Sequence, residues 1–394
     1  IFAGRVLKDP RTGSVFVYTE NIFVKFKDDL SSAACEAIIA AHQLEIAEQL
    51  PFAPNSYFTR AAEGTGMEIF AVAEQLLQHK SVEHCHPELV GQKTHKAAYP
   101  LQWHLIRTRI RGHLIDQHVD IESAWAMTRG EGITIAIVDD GVDVLHPEFS
   151  SPGKVVAPRN TVWNADSANP LFSSDNHGTA CAGVACANGS DKASGVAPEA
   201  ELLPIKIGGL GSLSEAKAFA WAADHGADVI SCSWGPPDGK WWNSADVLHY
   251  TEAPMPDSTR LAIDYATREG RNGKGCVIVW AGGNGNENIR FDGYATYPKV
   301  IAVAACNDRG KRSIYSDYGD AVWCSFPSSD QGYAVVNHPH PLTAGIWTVD
   351  RRDANGYNQG GMSAEEIIGD LEGQYTATFG GTSSACPGVA GVVA

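Results

Sequence analysis

The sequence predicts an α/β protein built on a doubly wound parallel sheet, preceded by a small α+β domain of ferredoxin-like strand–helix order. Two observations carry this. From Trp103 onward, short apolar runs recur at Ile133–Val138, Leu202–Ile207, Val229–Cys232, Cys276–Ala281 and Val300–Ala305. Strands buried on both faces lose the polar–apolar alternation of a one-sided sheet, and parallel sheets covered by helices have that texture. Between the runs lie helical patterns such as Ser214–His225 and Ser258–Glu269.

The first 96 residues have a different texture. Asn21–Lys27 alternates as a half-buried strand, and Ser31 is a suitable N-cap for a helix to about Gln43. A strand near Tyr57, a helix over Glu68–His79 and a strand over Ser81–His86 follow. The order fits β-α-β-β-α-β with its third strand hidden. Val90–Leu101 has the character of an exposed basic linker, so the expected domains are 1–96 and 97–394.

Bulk properties narrow the function. The chain has 394 residues, 44% hydrophobic and 19% charged, which suits a globular protein with a sizeable core. A net charge of −16 argues against nucleic acid as a partner, because phosphate neutralisation needs Lys and Arg. It permits cationic substrates or a bound cation. Nine cysteines show neither a C-x-x-C pair nor zinc spacing, and several sit in apolar runs as small core residues. No stretch is apolar enough for a membrane span.

Four polar fragments follow the apolar runs, where the carboxyl ends of parallel strands gather chemistry. Ile133–Val138 runs into Asp139-Asp140-Gly141; a carboxylate leaving a buried strand can orient an imidazole, though a turn or a cation ligand is the alternative. Asn176-His177-Gly178-Thr179 places a His before small residues that suit a closely packed helix. Gly380-Gly381-Thr382-Ser383 puts a hydroxyl at a loop-to-helix junction, where backbone N–H groups point outward. Gly282-Gly283-Asn284-Gly285 offers a side-chain amide or a plain Asn-Gly turn.

In this order the fragments resemble the subtilisin-like serine peptidases. Ser233-Trp234-Gly235-Pro236, Asp292-Gly293-Tyr294 and Gln102-Trp103-His104-Leu105 lean towards the kexin/furin-like branch. The resemblance implies a serine endopeptidase in which Asp139 orients His177, His177 is base and then acid, Ser383 is the nucleophile and Asn284 stabilises the oxyanion. It also implies polypeptide substrates with Arg or Lys at P1, bound by Asp238 and Asp292 along Ser233 and Gly235, with Asp140 and Asp175 favouring a basic P2. Structural Ca²⁺ is implied at Glu148 and Asn188, and at a second site built from Asp317 and Asp238, with Glu287 as a possible member.

Residues 1–96 resemble an inhibitory, chaperoning pro-segment with Lys96 as the processing site, which makes the chain its own intramolecular inhibitor and a secreted or periplasmic zymogen. The chain ends eleven residues after Ser383, inside the helix that Ser383 opens, so the whole protein is expected to continue. Two alternatives stand beside hydrolysis. One is a catalytically silent fold used for binding; the other is a peptide transamidase, for which the long stretch Gln331–Gly361 would supply a lid.

Overall fold

The structure is a computed structural model and describes residues 6–8, 15–51, 53–91, 98–208, 212–360 and 368–394. The chain divides into two compact units, Ile1–His95 and Lys96–Ala394. Lys96, the expected processing site, lies outside the described residues.

The smaller unit is an antiparallel sheet with two helices. The long strand Val15–Phe26 is its centre, flanked by Ser56–Arg60 on one side and Val82–Gly91 on the other, with Glu45–Gln49 outside Ser56–Arg60. Helices Ser32–Ala41 and Glu68–Leu77 supply Cys35, Ile39, Ile69, Ala73 and Leu76 to a core with Ile22, Val24, Phe26 and Tyr57. Ser31 caps the first helix, its Oγ accepting Ala34 N at 3.3 Å. The hidden strand is therefore the second in the order, before Tyr57. All five residues of Glu45–Gln49 are exposed, so this edge strand has no buried face to impose an alternation.

In the larger unit seven strands form one parallel sheet. In chain order they are β1 Thr134–Asp139, β2 Arg159–Asn160, β3 Glu201–Lys206, β4 Val229–Cys232, β5 Val277–Ala281, β6 Ile301–Cys306 and β7 Val322–Pro327. Their spatial order is β7-β6-β5-β4-β1-β3-β2, every pairing parallel. The chain leaves β1 towards β3 and later returns to β1's other side with β4. That reversal makes the carboxyl end of β1 a topological switch point, where a crevice opens.

The five expected runs are all strands, and their lack of alternation has the expected cause. Ile135 and Ile137 join one core, Ala136 and Val138 the other. Helices α1 His177–Cys186 and α4 Thr382–Val393 cover the first face; α2 Ser212–Asp224 and α3 Asp257–Gly273 cover the second. The small residues of α1 and α4 allow close approach. At Gly388 a Cβ would lie 2.3 Å from the Phe326 ring, so that ring fills the space a larger side chain would need. An antiparallel hairpin, Ile346–Val349 with Tyr375–Phe379, lies beyond α1 and leads directly into Gly380.

Candidate active site

Asp139 is the last residue of β1 and is buried. His177 opens α1, and its Nδ1 lies 2.9 and 3.0 Å from the two oxygens of Asp139. Helix and strand end are clamped together by Asp140, whose carboxylate accepts the His177 and Gly178 N–H groups at 3.1 and 2.8 Å. Gly178 must be glycine here, since a Cβ would sit 2.4 Å from Gly141 O. With Nδ1–H donated to Asp139, Nε2 is the ring's acceptor. Burial pulls the His177 pKa down, but the Asp139 charge outweighs it and holds the ring well above the usual value. Burial and the Asp139 charge raise Asp140 to about 6.

Ser383 is the second residue of α4, after Gly381 in a left-handed conformation (φ 72°). Its Oγ donates to Ser233 O at 3.3 Å, while Ser233 Oγ donates back to Ser383 O at 3.1 Å. The hydroxyl is thus turned towards Ser233 O. The Cys181 Sγ lies 3.6 Å from His177 Nδ1 and 3.5 Å from Ser383 O, its pKa pushed up by burial to about 11.

Asn284 follows β5 through two glycines. Its Oδ1 accepts Thr382 N at 2.8 Å and Thr382 Oγ1 at 3.2 Å, and its own N–H goes to Asp238 Oδ2 at 2.8 Å. Nδ2 is left as a donor beside the nucleophile's helix end. Asp139, Asp140, His177, Ser233 and Gly235 line one cleft of about 370 Å³. Asp292 commits Oδ1 to the Tyr294 and Ala295 N–H groups at 2.7 and 3.2 Å, and Oδ2 faces Gly235, whose Cβ would be 3.4 Å away. Burial and then the nearby acids Asp238 and Glu287 raise Asp292 to about 6, against the two N–H bonds.

Asp175 is differently placed. Its Oδ2 receives Lys206 Nζ at 2.8 Å, both side chains being under 10% exposed, and also accepts the Leu171 and Phe172 N–H groups. Lys206 ends β3 opposite Asp139 and also donates to Asp140 O, tying the corner after β1 to the segment before His177. It was missed in the sequence, where its signal is a lone cation ending an otherwise apolar run.

The two sets of acids expected to hold a cation differ in fit. Glu148 is fully buried, and its carboxylate accepts Ser190 N and Oγ, Asp191 N, Ala193 N and Tyr375 OH at 2.8–3.3 Å. Five donors fill both oxygens, and at Asn188 the buried unpartnered atom is Nδ2, itself a donor. The Glu148 carboxylate is therefore already taken up by donors, whereas a cation needs acceptor oxygens turned inward.

Asp238, Glu287 and Asp317 do fit. One oxygen of each lies within 4.8 Å of the others. Each also commits one oxygen to a backbone N–H, of Asn284, Gly239 and Gly285 respectively. The cradle is open only because residue 283 is glycine: a Cβ there would be 2.2 Å from Asp317 Oδ2 and 2.9 Å from Asp238 Oδ1. Burial, then the charge of Asp238, raises Asp317 to about 9.

A doubly wound parallel sheet with an Asp–His pair, a helix-end serine and a facing amide at its switch point defines a serine-hydrolase architecture. The chain matches the subtilase family (Peptidase_S8) over residues 130–394 and belongs to it. It is 55% identical over 395 residues to a calcium-dependent protease of Trichormus variabilis, covering 100% of this chain and 58% of that protein. A kexin of Candida albicans is 30% identical over 334 residues, covering 80% of this chain and 30% of the kexin. Among solved structures, the Aeromonas sobria serine protease in complex with its chaperone shares the fold (TM-score 0.59, 22% identity, 75% of this chain and 53% of that one). So does fervidolysin of Fervidobacterium pennivorans, a keratinolytic enzyme related to subtilisin (TM-score 0.51, 23% identity, 98% of this chain and 55% of that one). The chain spans a little over half the length of the first two curated relatives.

Proposed function

We propose that this chain is the peptidase portion of a calcium-dependent serine endopeptidase that cuts after Arg or Lys. The observation that carries the reading is the hydrogen bond of His177 Nδ1 to Asp139 at the sheet's switch point, with Ser383 and Asn284 beside it. Ser383 Oγ rotates from Ser233 O to His177 Nε2 and loses its proton as it attacks the carbonyl carbon of the scissile bond. The oxyanion is met by Asn284 Nδ2 and the Ser383 N–H. His177 then gives its proton to the departing amine, and water repeats the sequence to release the acid.

Asp292 is the S1 acid best disposed for a basic side chain, with Oδ2 turned to Gly235 on the cleft wall. Asp238 acts with it while also serving the cation cradle. For P2, Asp140 carries the preference, because Asp175 is already neutralised by Lys206. A cation such as Ca²⁺ would be held by Asp238, Glu287 and Asp317; when bound it supplies the charge that keeps three carboxylates ionised behind Asn284.

Residues 1–96 act as a pro-segment removed at Lys96, and the working compartment is extracellular or periplasmic. The test is a P1 profile with fluorogenic peptides on the full-length protein, with and without EGTA. Cleavage after Arg or Lys that is lost in EGTA and in Ser383→Ala supports the whole reading. Cleavage after large apolar residues removes the role of Asp292 and keeps the peptidase.

A further inference from the structure

The loop 350–360 holds an aromatic ring near His177 that none of the roles above uses. Asp350, fully buried after the strand Ile346–Val349, folds this loop on itself: Oδ1 accepts Arg351 N at 2.8 Å and Oδ2 accepts Asn358 N at 2.7 Å. Gly356 closes over that carboxylate so tightly that a Cβ would lie 1.8 Å from Oδ1. Two arginines then fasten the loop to segments that carry the Asp–His pair. Arg351 Nη1 donates to Phe172 O and Asn176 Oδ1 at 2.9 and 3.0 Å, the latter immediately before His177. Arg352 Nε donates to both oxygens of Asp143 at 3.1 and 3.0 Å. A loop held at these points has little ordering entropy left to lose when a substrate arrives.

The ring so held is Tyr357. It packs on Phe379 with centroids 5.9 Å apart, and Phe379 meets the His177 ring edge-on at 5.6 Å and 72°. Phe379 is only 3% exposed and acts as the support, whereas Tyr357 keeps 41% of its surface open. Neither lines the cleft that reaches His177 from Ser233 and Gly235. That cleft takes the acyl half of a substrate. The departing amine must lie within reach of the same imidazole to be protonated, so the leaving-group half passes on the other side.

We infer that Tyr357, backed by Phe379, is a specificity residue on the leaving-group side, favouring an aromatic or branched aliphatic residue in the first two positions after the scissile bond. This rests on the endopeptidase reading. An exposed ring on a pre-ordered loop adds contact area with apolar side chains, and one such contact is worth about tenfold in selectivity.

The experiment uses internally quenched peptides that share whichever P1 residue the full-length protein accepts and differ only in the two following positions. The readout is the ratio of kcat/KM for Phe or Leu over Gly there, which does not depend on how much of a variant folds. We expect a ratio of about ten for the wild type, a fall to near one in Tyr357→Ala, and its retention in Tyr357→Phe, because the ring and not the hydroxyl makes the wall. A flat wild-type profile with normal turnover overturns this inference alone, as does an unchanged ratio in Tyr357→Ala. No turnover of any peptide removes the endopeptidase reading and this inference with it.

Discussion

Thr382 donates its backbone N–H to Asn284 Oδ1 at 2.8 Å, so the residue before the nucleophile decides which end of the amide faces the cleft. Because the Oδ1 end is claimed, Nδ2 is the end that remains for an oxyanion. Asn284→Ala should lower kcat by about 10²–10³, the figure known for the corresponding asparagine of subtilisin, with KM little changed. Thr382→Val keeps the backbone bond to Oδ1 and removes the contact from Oγ1 at 3.2 Å together with the acceptor that Oγ1 offers the Gly283 N–H at 3.2 Å, and should cost less than tenfold. Steady-state kinetics on one peptide separates these; a Thr382→Val loss as large as that of Asn284→Ala would mean that the amide is not oriented this way.

The same geometry sets the pH profile. His177 must be unprotonated to act as a base, and the Asp139 charge holds its pKa well above 6.5 despite burial. The acid limb of kcat/KM should therefore rise through a pKa on the alkaline side of an ordinary histidine. Asp139→Asn removes the charge that raises it, so any residual activity should have its acid limb moved to lower pH. An acid limb below pH 6.5 in the wild type would contradict the arrangement.

Calcium binding should release protons. Asp317 is pushed up to about 9 by burial and by Asp238 while the cradle holds no cation, so it is protonated at neutral pH. A cation needs it ionised, and the apparent affinity must climb as pH rises towards 9. Calorimetry in two buffers of different ionisation enthalpy reads the proton count. Asp317→Asn should weaken Ca²⁺ by at least about tenfold. Glu148→Gln should lower the melting temperature and leave Ca²⁺ affinity as it was, since five donors already occupy that carboxylate.

The sheet was legible because its strands are apolar on both faces, and the residues at their ends because a buried strand that finishes in Asp or Gly-Gly-Asn has no packing reason to do so. What escaped is what has no local signature. Glu45–Gln49 is an exposed edge strand without a buried face, so its residues are all polar or small save one isoleucine. Lys206 and Asp175 are 31 residues apart, and nothing in either neighbourhood announces that each neutralises the other. Glu148 illustrates the converse: an acid placed by motif, whose carboxylate accepts N–H groups of the loop at 190–193 that only the fold brings round. Pairings of this kind are tertiary facts, and a linear pattern carries the residue types without the partners.

Stability in acid should be limited by His104. It is fully buried, both ring nitrogens lack a hydrogen-bond partner among the described residues, and burial lowers its pKa to about 3. In the unfolded chain the same ring titrates near 6.5, so below that pH the unfolded state binds a proton that the native state refuses. Its contribution is fully present above pH 6.5 and is lost as the pH falls towards 3, at about 1.4 kcal/mol per pH unit. Replacing His104 with Leu removes the titrating group and keeps an apolar side chain among Trp103 and Phe326. Denaturant melts of the inactive Ser383→Ala protein between pH 7 and 4 should therefore show a shallower loss in the His104→Leu background. Equal slopes in the two would show that the ring finds a proton-stabilising partner inside the fold.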